Sequence, residues 1–178
     1  MKKLIILILA IVSMFFIYST VKAEEVLIPD SSIRLRVVAN SNSIYDQSMK
    51  KQVKDYIEDE VYELLKDVDR IEDARKIISD NLDNINSDIE SIFVDNNYDM
   101  DYKVDFGYNY FPNKVFKTVN YKEGYYESLV VYIGEAKGDN WWCVLFPPLC
   151  LIDVENTSDN EYSFFVGEVI KDFFKNNK

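Results

Sequence analysis

Apolar residues recur along this chain at three different spacings, and each spacing predicts a different element. Leu4 to Tyr18 is a nearly unbroken apolar run behind Lys2 and Lys3. Ile33-Arg34-Leu35-Arg36-Val37-Val38 then alternates apolar with basic, the pattern of a half-buried strand. Ile33, Leu35 and Val37 would face a core, with Arg34 and Arg36 on the opposite side. Asn40-Ser41-Asn42-Ser43 interrupts the chain with side chains that bond to nearby backbone and favour turns. Ser43, with Asp46 three residues later, marks a helix start. Met49, Val53, Ile57, Val61, Leu64, Leu65 and Val68 follow at helical spacing and predict a helix over about 45–67. Ala74, Ile77, Ile78, Leu82, Ile85, Ile89 and Ile92 predict a second over about 71–93. So short a connection makes the two an antiparallel hairpin.

After Phe93 the period returns to two. Tyr102, Val104 and Phe106 predict a strand, Val115 to Tyr121 a weaker one beyond Pro112, and Tyr126 to Ile133 a strong one. Trp142 to Phe146 predicts a short strand that ends at Pro147-Pro148, because proline removes ladder donors. Phe164, Phe165, Val169, Ile170, Phe173 and Phe174 predict a final helix over about 160–175. The order is strand, two helices, several strands, helix. The expected fold is α+β, a mostly antiparallel sheet packed by a helical hairpin and a C-terminal helix.

The opening run changes the picture of where this domain works. A basic start, an apolar stretch and Val21-Lys22-Ala23 have the form of an export signal. The run is long for a signal peptide and short for a membrane-spanning helix, so cleavage after Ala23 and retention as an anchor both stay open. Residues 1–23 are therefore set apart as signal or anchor, and 24–178 are expected to form a single exported domain. Residues 1–23 hold three lysines and no acid, so the formal charge of −11 becomes −14 beyond them. A chain that acidic has no general field for nucleic acid or anionic membrane. Membrane contact is expected only through the N-terminal segment, if it is uncleaved. Histidine is absent, which excludes Ser-His-Asp and Cys-His catalysis and every His-based metal site.

Candidate chemistry concentrates in residues 134–153, which hold both tryptophans, both cysteines and two of the five glycines. Cys143 and Cys150, in an exported chain, form either a disulfide or two buried thiols. Trp141 and Trp142 are adjacent, so on a strand they point to opposite faces; one is a candidate binding anchor. Arg34 and Arg36 either pair with acids on a neighbouring strand or form a basic docking spot. Asp95-Asn96-Asn97-Tyr98-Asp99 matches the first positions of a calcium loop but has Met100 where glycine is required and Phe106 where a bidentate Glu is required. It reads as a helix-to-strand loop. Gly134-Glu135-Ala136-Lys137-Gly138 lacks phosphate-loop spacing and reads as a turn. No spacing singles out a carboxylate pair, although a carboxylate-dependent hydrolase acting on cell-wall material is the alternative class.

Three strings carry a family resemblance. One is Ile33 to Ser43 with Asp46, Gln47, Lys50, Lys51 and Lys54. The second is Tyr110-Phe111-Pro112-Asn113-Lys114 leading to Gly124-Tyr125-Tyr126-Glu127. The third runs from Ile133-Gly134-Glu135 through Asn140-Trp141-Trp142-Cys143-Val144-Leu145-Phe146-Pro147-Pro148-Leu149-Cys150. In this order, behind an apolar start, they resemble the stage II sporulation protein R family. Ala136 departs from an expected glycine, and Asp139 from an expected aromatic or His. The resemblance implies a non-enzymatic signalling protein, exported by the forespore into the space between the two spore membranes. It further implies that the protein activates a membrane-embedded aspartic protease of the mother cell, which then processes the sigma-E precursor. No cofactor, metal or nucleic acid is implied. Arg34, Arg36, Asn40, Lys137, Asn140, Trp141 and Trp142 are the expected partner-binding residues, and Cys143 and Cys150 the expected disulfide.

Overall fold

The computed structural model describes residues 26–27, 31–116, 119–150 and 166–172. The chain runs β1 (Val26–Leu27), β2 (Ile33–Val38), α1 (Ile44–Leu65), α2 (Ile71–Asp80), α3 (Leu82–Asp95), β3 (Tyr102–Phe111), β4 (Lys114–Phe116), β5 (Val119–Tyr121), β6 (Gly124–Ile133) and β7 (Asn140–Phe146). A helix over 166–172 follows. The segment 1–23 and the flanks of the expected C-terminal helix lie outside the described residues.

The main sheet has the order β3-β6-β2-β7. The outer pairs are antiparallel and the central β2–β6 pair is parallel, so the sheet is mostly antiparallel, as expected, with one parallel pair at its centre. The reason is connectivity. After β2 the chain crosses one face of the sheet as helices and returns through the β3–β6 hairpin, which brings β6 alongside β2 in the same direction.

That face buries the alternate residues predicted for it. Ile33, Leu35 and Val37 of β2 and Leu129, Val131 and Ile133 of β6 meet Met49, Val53, Ile57, Val61 and Leu65 of α1. Ala74, Ile78, Ile85, Ile89 and Phe93 complete the same core. Tyr45 bonds to Asn96, and Tyr56 to Asp88, so the helical layer runs back antiparallel to α1. The single helix expected over 71–93 is interrupted at Asn81, which has φ −104° and ψ 5°. Its side-chain Nδ2 donates to the Ile77 carbonyl at 2.8 Å, the local backbone competition that makes asparagine a poor interior helix residue. The apolar stripe continues in phase on both sides of the break.

α1 starts as its sequence predicts: Ser43 Oγ accepts from the Asp46 N–H at 3.1 Å. α3 ends in a Schellman turn. Asn97 sits at φ 50°, the Tyr98 N–H donates to the Phe93 carbonyl at 2.9 Å, and the Asn97 N–H donates to the Val94 carbonyl at 3.0 Å. The strand expected over 115–121 is two strands, β4 and β5, paired antiparallel in a small second sheet with β1.

The opposite face of the main sheet is covered as well. Val144, Leu149, Tyr121 and Val166 form a second buried cluster, with Trp142, Val169 and Ile170 against it. Arg34 lies beneath this layer, 1% exposed.

Candidate functional site

β7 is an edge strand, and its sequence places one tryptophan on each side of the sheet. Trp141 packs toward the helical core, while Trp142 packs into the second cluster. The alternation expected of a strand is realised, and each ring is half-buried. Trp141 Nε1 donates to Glu58 Oε1 at 3.0 Å, and Lys54 Nζ stands 4.6 Å from the centre of the Trp141 ring. Lys54 also pairs with Glu58 at 3.0 Å and with Asp55 at 2.8 Å. Burial pushes the Glu58 carboxyl up, opposed by its Lys54 and Trp141 donors.

Trp142 has a different surrounding. Its ring meets Phe111 edge-on at 5.1 Å. Two cations lie over it, Lys114 Nζ at 4.7 Å and the Arg36 guanidinium at 5.6 Å. The Arg36 guanidinium also makes a long contact, 3.5 Å, to the Tyr110 carbonyl. Desolvation lowers both pKa values, and for Lys114 the repulsion of Arg36 and Lys50 adds to it.

Cys143 and Cys150 are joined as a disulfide with Cα atoms 5.3 Å apart, resolving the choice left open by the sequence. The bridge ties the middle of β7 to the residues just past Pro147-Pro148, and a cis peptide bond precedes Pro147. The expected loop is thus largely a strand, cross-linked at its midpoint. Glu58 and the two sulfurs lie within 4.8 Å of one another. Bridged sulfurs are not thiolates, so they offer no metal-binding set in this form.

The expected partner-binding residues do not all reach this site. Arg34 is corrected: its guanidinium stacks 3.3 Å from the centre of the Tyr126 ring, with Phe111 at 5.5 Å and Tyr121 at 5.9 Å. It belongs to the interior, because β6, Tyr121 and the second cluster cover the face that alternation alone would leave open. Asn40 stands apart from both tryptophan surroundings and bonds within the chain. Its Oδ1 accepts from the Glu135 N–H at 2.9 Å and its Nδ2 donates to Asp46 Oδ2 at 3.1 Å. It is a clamp between the start of α1 and the 134–139 turn. Lys137 is exposed and pairs with its neighbour Glu135 at 2.8 Å, away from both tryptophans. Asn140 opens β7 opposite Val38. Arg36 and Trp142 do meet, on one face of the sheet, while Trp141 stands on the other. Lys54, Glu58 and Lys114 were missed as site residues, although Lys54 and Lys114 stand inside the family-like strings. Only the packing of α1 and β4 beside β7 brings them there.

A groove of about 520 Å³ lies at the far end of the helical layer, lined by Phe93, Val94, Tyr98, Glu90, Asp99 and Asp101 among others. Glu58 does not line it. The carboxylate shifted upward by burial, Glu58, is held beneath Trp141 and is separate from this groove.

A family model for stage II sporulation protein R matches residues 29–156. A relative from Bacillus subtilis (strain 168), named stage II sporulation protein R, is 38% identical over 133 residues. The chain belongs to the stage II sporulation protein R family. The matched region is 75% of this chain and 59% of that relative, so the chain spans little more than half the relative's length. No solved structure matches. The family match takes in every described element from β2 to β7, including the helical layer and both cysteines of the bridge. The family is named for sporulation and not for a catalysed reaction. Among the described residues, no helix is long and apolar enough to cross a membrane.

Proposed function

We propose that this member of the stage II sporulation protein R family is an exported signalling ligand. It leaves the forespore, enters the space between the two spore membranes and activates a membrane-embedded aspartic protease of the mother cell. The consequence is processing of the sigma-E precursor. Family membership supports the sporulation role, and the apolar start of the chain supports export. The observation that carries the ligand reading is β7: an edge strand among the described residues, with a half-buried tryptophan on each side, each beneath a lysine, and a disulfide bracing its middle. Pre-ordered aromatic anchors flanked by cations suit recognition, since little side-chain freedom is lost on binding.

Co-expression with the protease and the sigma-E precursor in a non-sporulating host tests this. The wild-type chain should stimulate cleavage of the precursor. Trp141→Ala and Trp142→Ala should each weaken it, by about thirtyfold in affinity for an anchor worth about 2 kcal/mol. Circular dichroism and an intact disulfide would show that each variant is folded. Arg34 serves as the contrast: its replacement acts through the fold. Failure of the wild-type chain to stimulate cleavage would refute the reading. Two folded tryptophan variants with full activity would move the contact elsewhere.

A further inference from the structure

The outer edge of β7 carries a recognition surface that no described strand uses. β7 pairs with β2 on one side, and no strand among the described residues pairs with the other. The Val144 carbonyl accepts from the Leu149 N–H at 3.0 Å, across the turn that the disulfide closes. That carbonyl therefore points away from β2. Ladder groups alternate along an antiparallel pair, so Trp142 and Asn140 also turn their backbone N–H and C=O to the open edge. An edge of this kind is a template for an incoming strand.

The charge around the edge indicates what that strand carries. Arg36 and Lys114 share the Trp142 ring. The Asp139 carboxylate favours the charged form of Lys114 from a distance, but among the described residues no ion pair joins it to either cation. Arg36 Nε and Trp142 Nε1 are buried donors with no acceptor among the described residues. The whole chain has 31 acidic residues, yet this spot gathers cations and donors. Such a set lacks an acceptor, and an anion supplies one. The other side of β7 differs, because Lys54 beside Trp141 is already neutralised by Asp55 and Glu58. A strand added there would present carboxylates toward Arg36 and Lys114 and apolar side chains toward Trp141.

We propose that the open edge of β7 receives an extended segment of a partner polypeptide as an added strand, alternating acidic and apolar residues. This rests on the signalling-ligand reading and adds its mode and its chemistry. A lipid headgroup could meet the cations but could not use the backbone edge or the alternation.

The test uses the purified protein and a short strand-forming peptide alternating Glu and Val. Amide shifts in an NMR titration should move chiefly at residues 140–144. Affinity should fall about tenfold or more when alternate peptide amides are N-methylated, which removes ladder donors and leaves the protein untouched. Lys114→Glu, checked for fold, should weaken binding of the Glu peptide by a similar factor. The proposal is overturned by any of four results: no shifts up to millimolar peptide, equal binding of a Lys–Val peptide, indifference to N-methylation, or binding of phosphatidylglycerol vesicles in place of the peptide. Peptide failure with normal precursor processing would reject strand addition and leave the signalling role intact. Peptide binding without any processing would do the reverse.

Discussion

Single residues in the 134–139 turn carry identifiable strain. Ala136 has φ 51°, in the left-handed region where an L side chain costs about 1–2 kcal/mol. This is the position where the family resemblance leads one to expect glycine, and the backbone supplies the reason. Ala136→Gly relieves the strain and adds freedom to the unfolded chain, so the expected net gain is about 0.5–1 kcal/mol. Gly138 is the opposite case: a Cβ there would lie 2.3 Å from the Ser41 carbonyl oxygen. Gly138→Ala should cost at least about 1 kcal/mol, since a backbone atom has to move. Urea midpoints at constant slope measure both, and a destabilised Ala136→Gly would contradict the strain argument. Arg34 shows the limit of reading residues singly. Its alternation with Ile33 and Leu35 was legible, but the layer that covers it was not, because that layer comes from residues 87 or more positions away.

At the scale of elements, the join between β2 and α1 is the best-defined polar structure in the chain. Asp46, in the first turn of α1, accepts from Tyr98 at 2.6 Å, from Asn40 at 3.1 Å and from Ser41. The Ser41 and Tyr98 hydroxyls, chiefly, hold its carboxyl down to about 2. Its unfolded value is about 3.9. A depressed carboxyl stabilises the fold above the unfolded value, and that contribution drains away as pH falls through the folded one. The two values bound its full size at about 2.6 kcal/mol. Asp46→Asn should therefore be less stable than wild type at neutral pH, and the gap should narrow between about pH 4 and pH 2. Urea unfolding of both proteins across that range measures it; a gap independent of pH would show that charge is not the source. Ser43 as the helix cap was legible because capping is local. The break at Asn81 was not, because the apolar stripe stays in phase across it.

At the scale of the molecule, one mixed sheet separates two buried clusters, and the Cys143–Cys150 bridge lies on the side of the helical core. Cys143 is buried in that core and Cys150 packs against it, whereas the neighbouring Leu149 belongs to the other cluster. Closing so short a loop stabilises by about 2–3 kcal/mol on a chain-entropy estimate. The Cys143→Ala/Cys150→Ala double variant should then unfold about 5–10 °C lower. Calorimetry decides, and an unchanged Tm would mean that the bridge constrains nothing beyond its own turn.

Periodicity in the sequence was enough to determine the helical layer, β2, β6 and the α+β class, because helix and strand each need an apolar stripe at a set spacing. It also determined that Trp141 and Trp142 face opposite ways, since strand geometry permits nothing else. The family strings, in their order, led to the sporulation family. Tertiary structure alone decided the rest: the parallel β2–β6 pair, the burial of Arg34, the inward turn of Asn40, and the gathering of Lys54, Glu58 and Lys114 around β7. Each of these depends on which distant elements come to lie side by side, and local spacing carries no record of that.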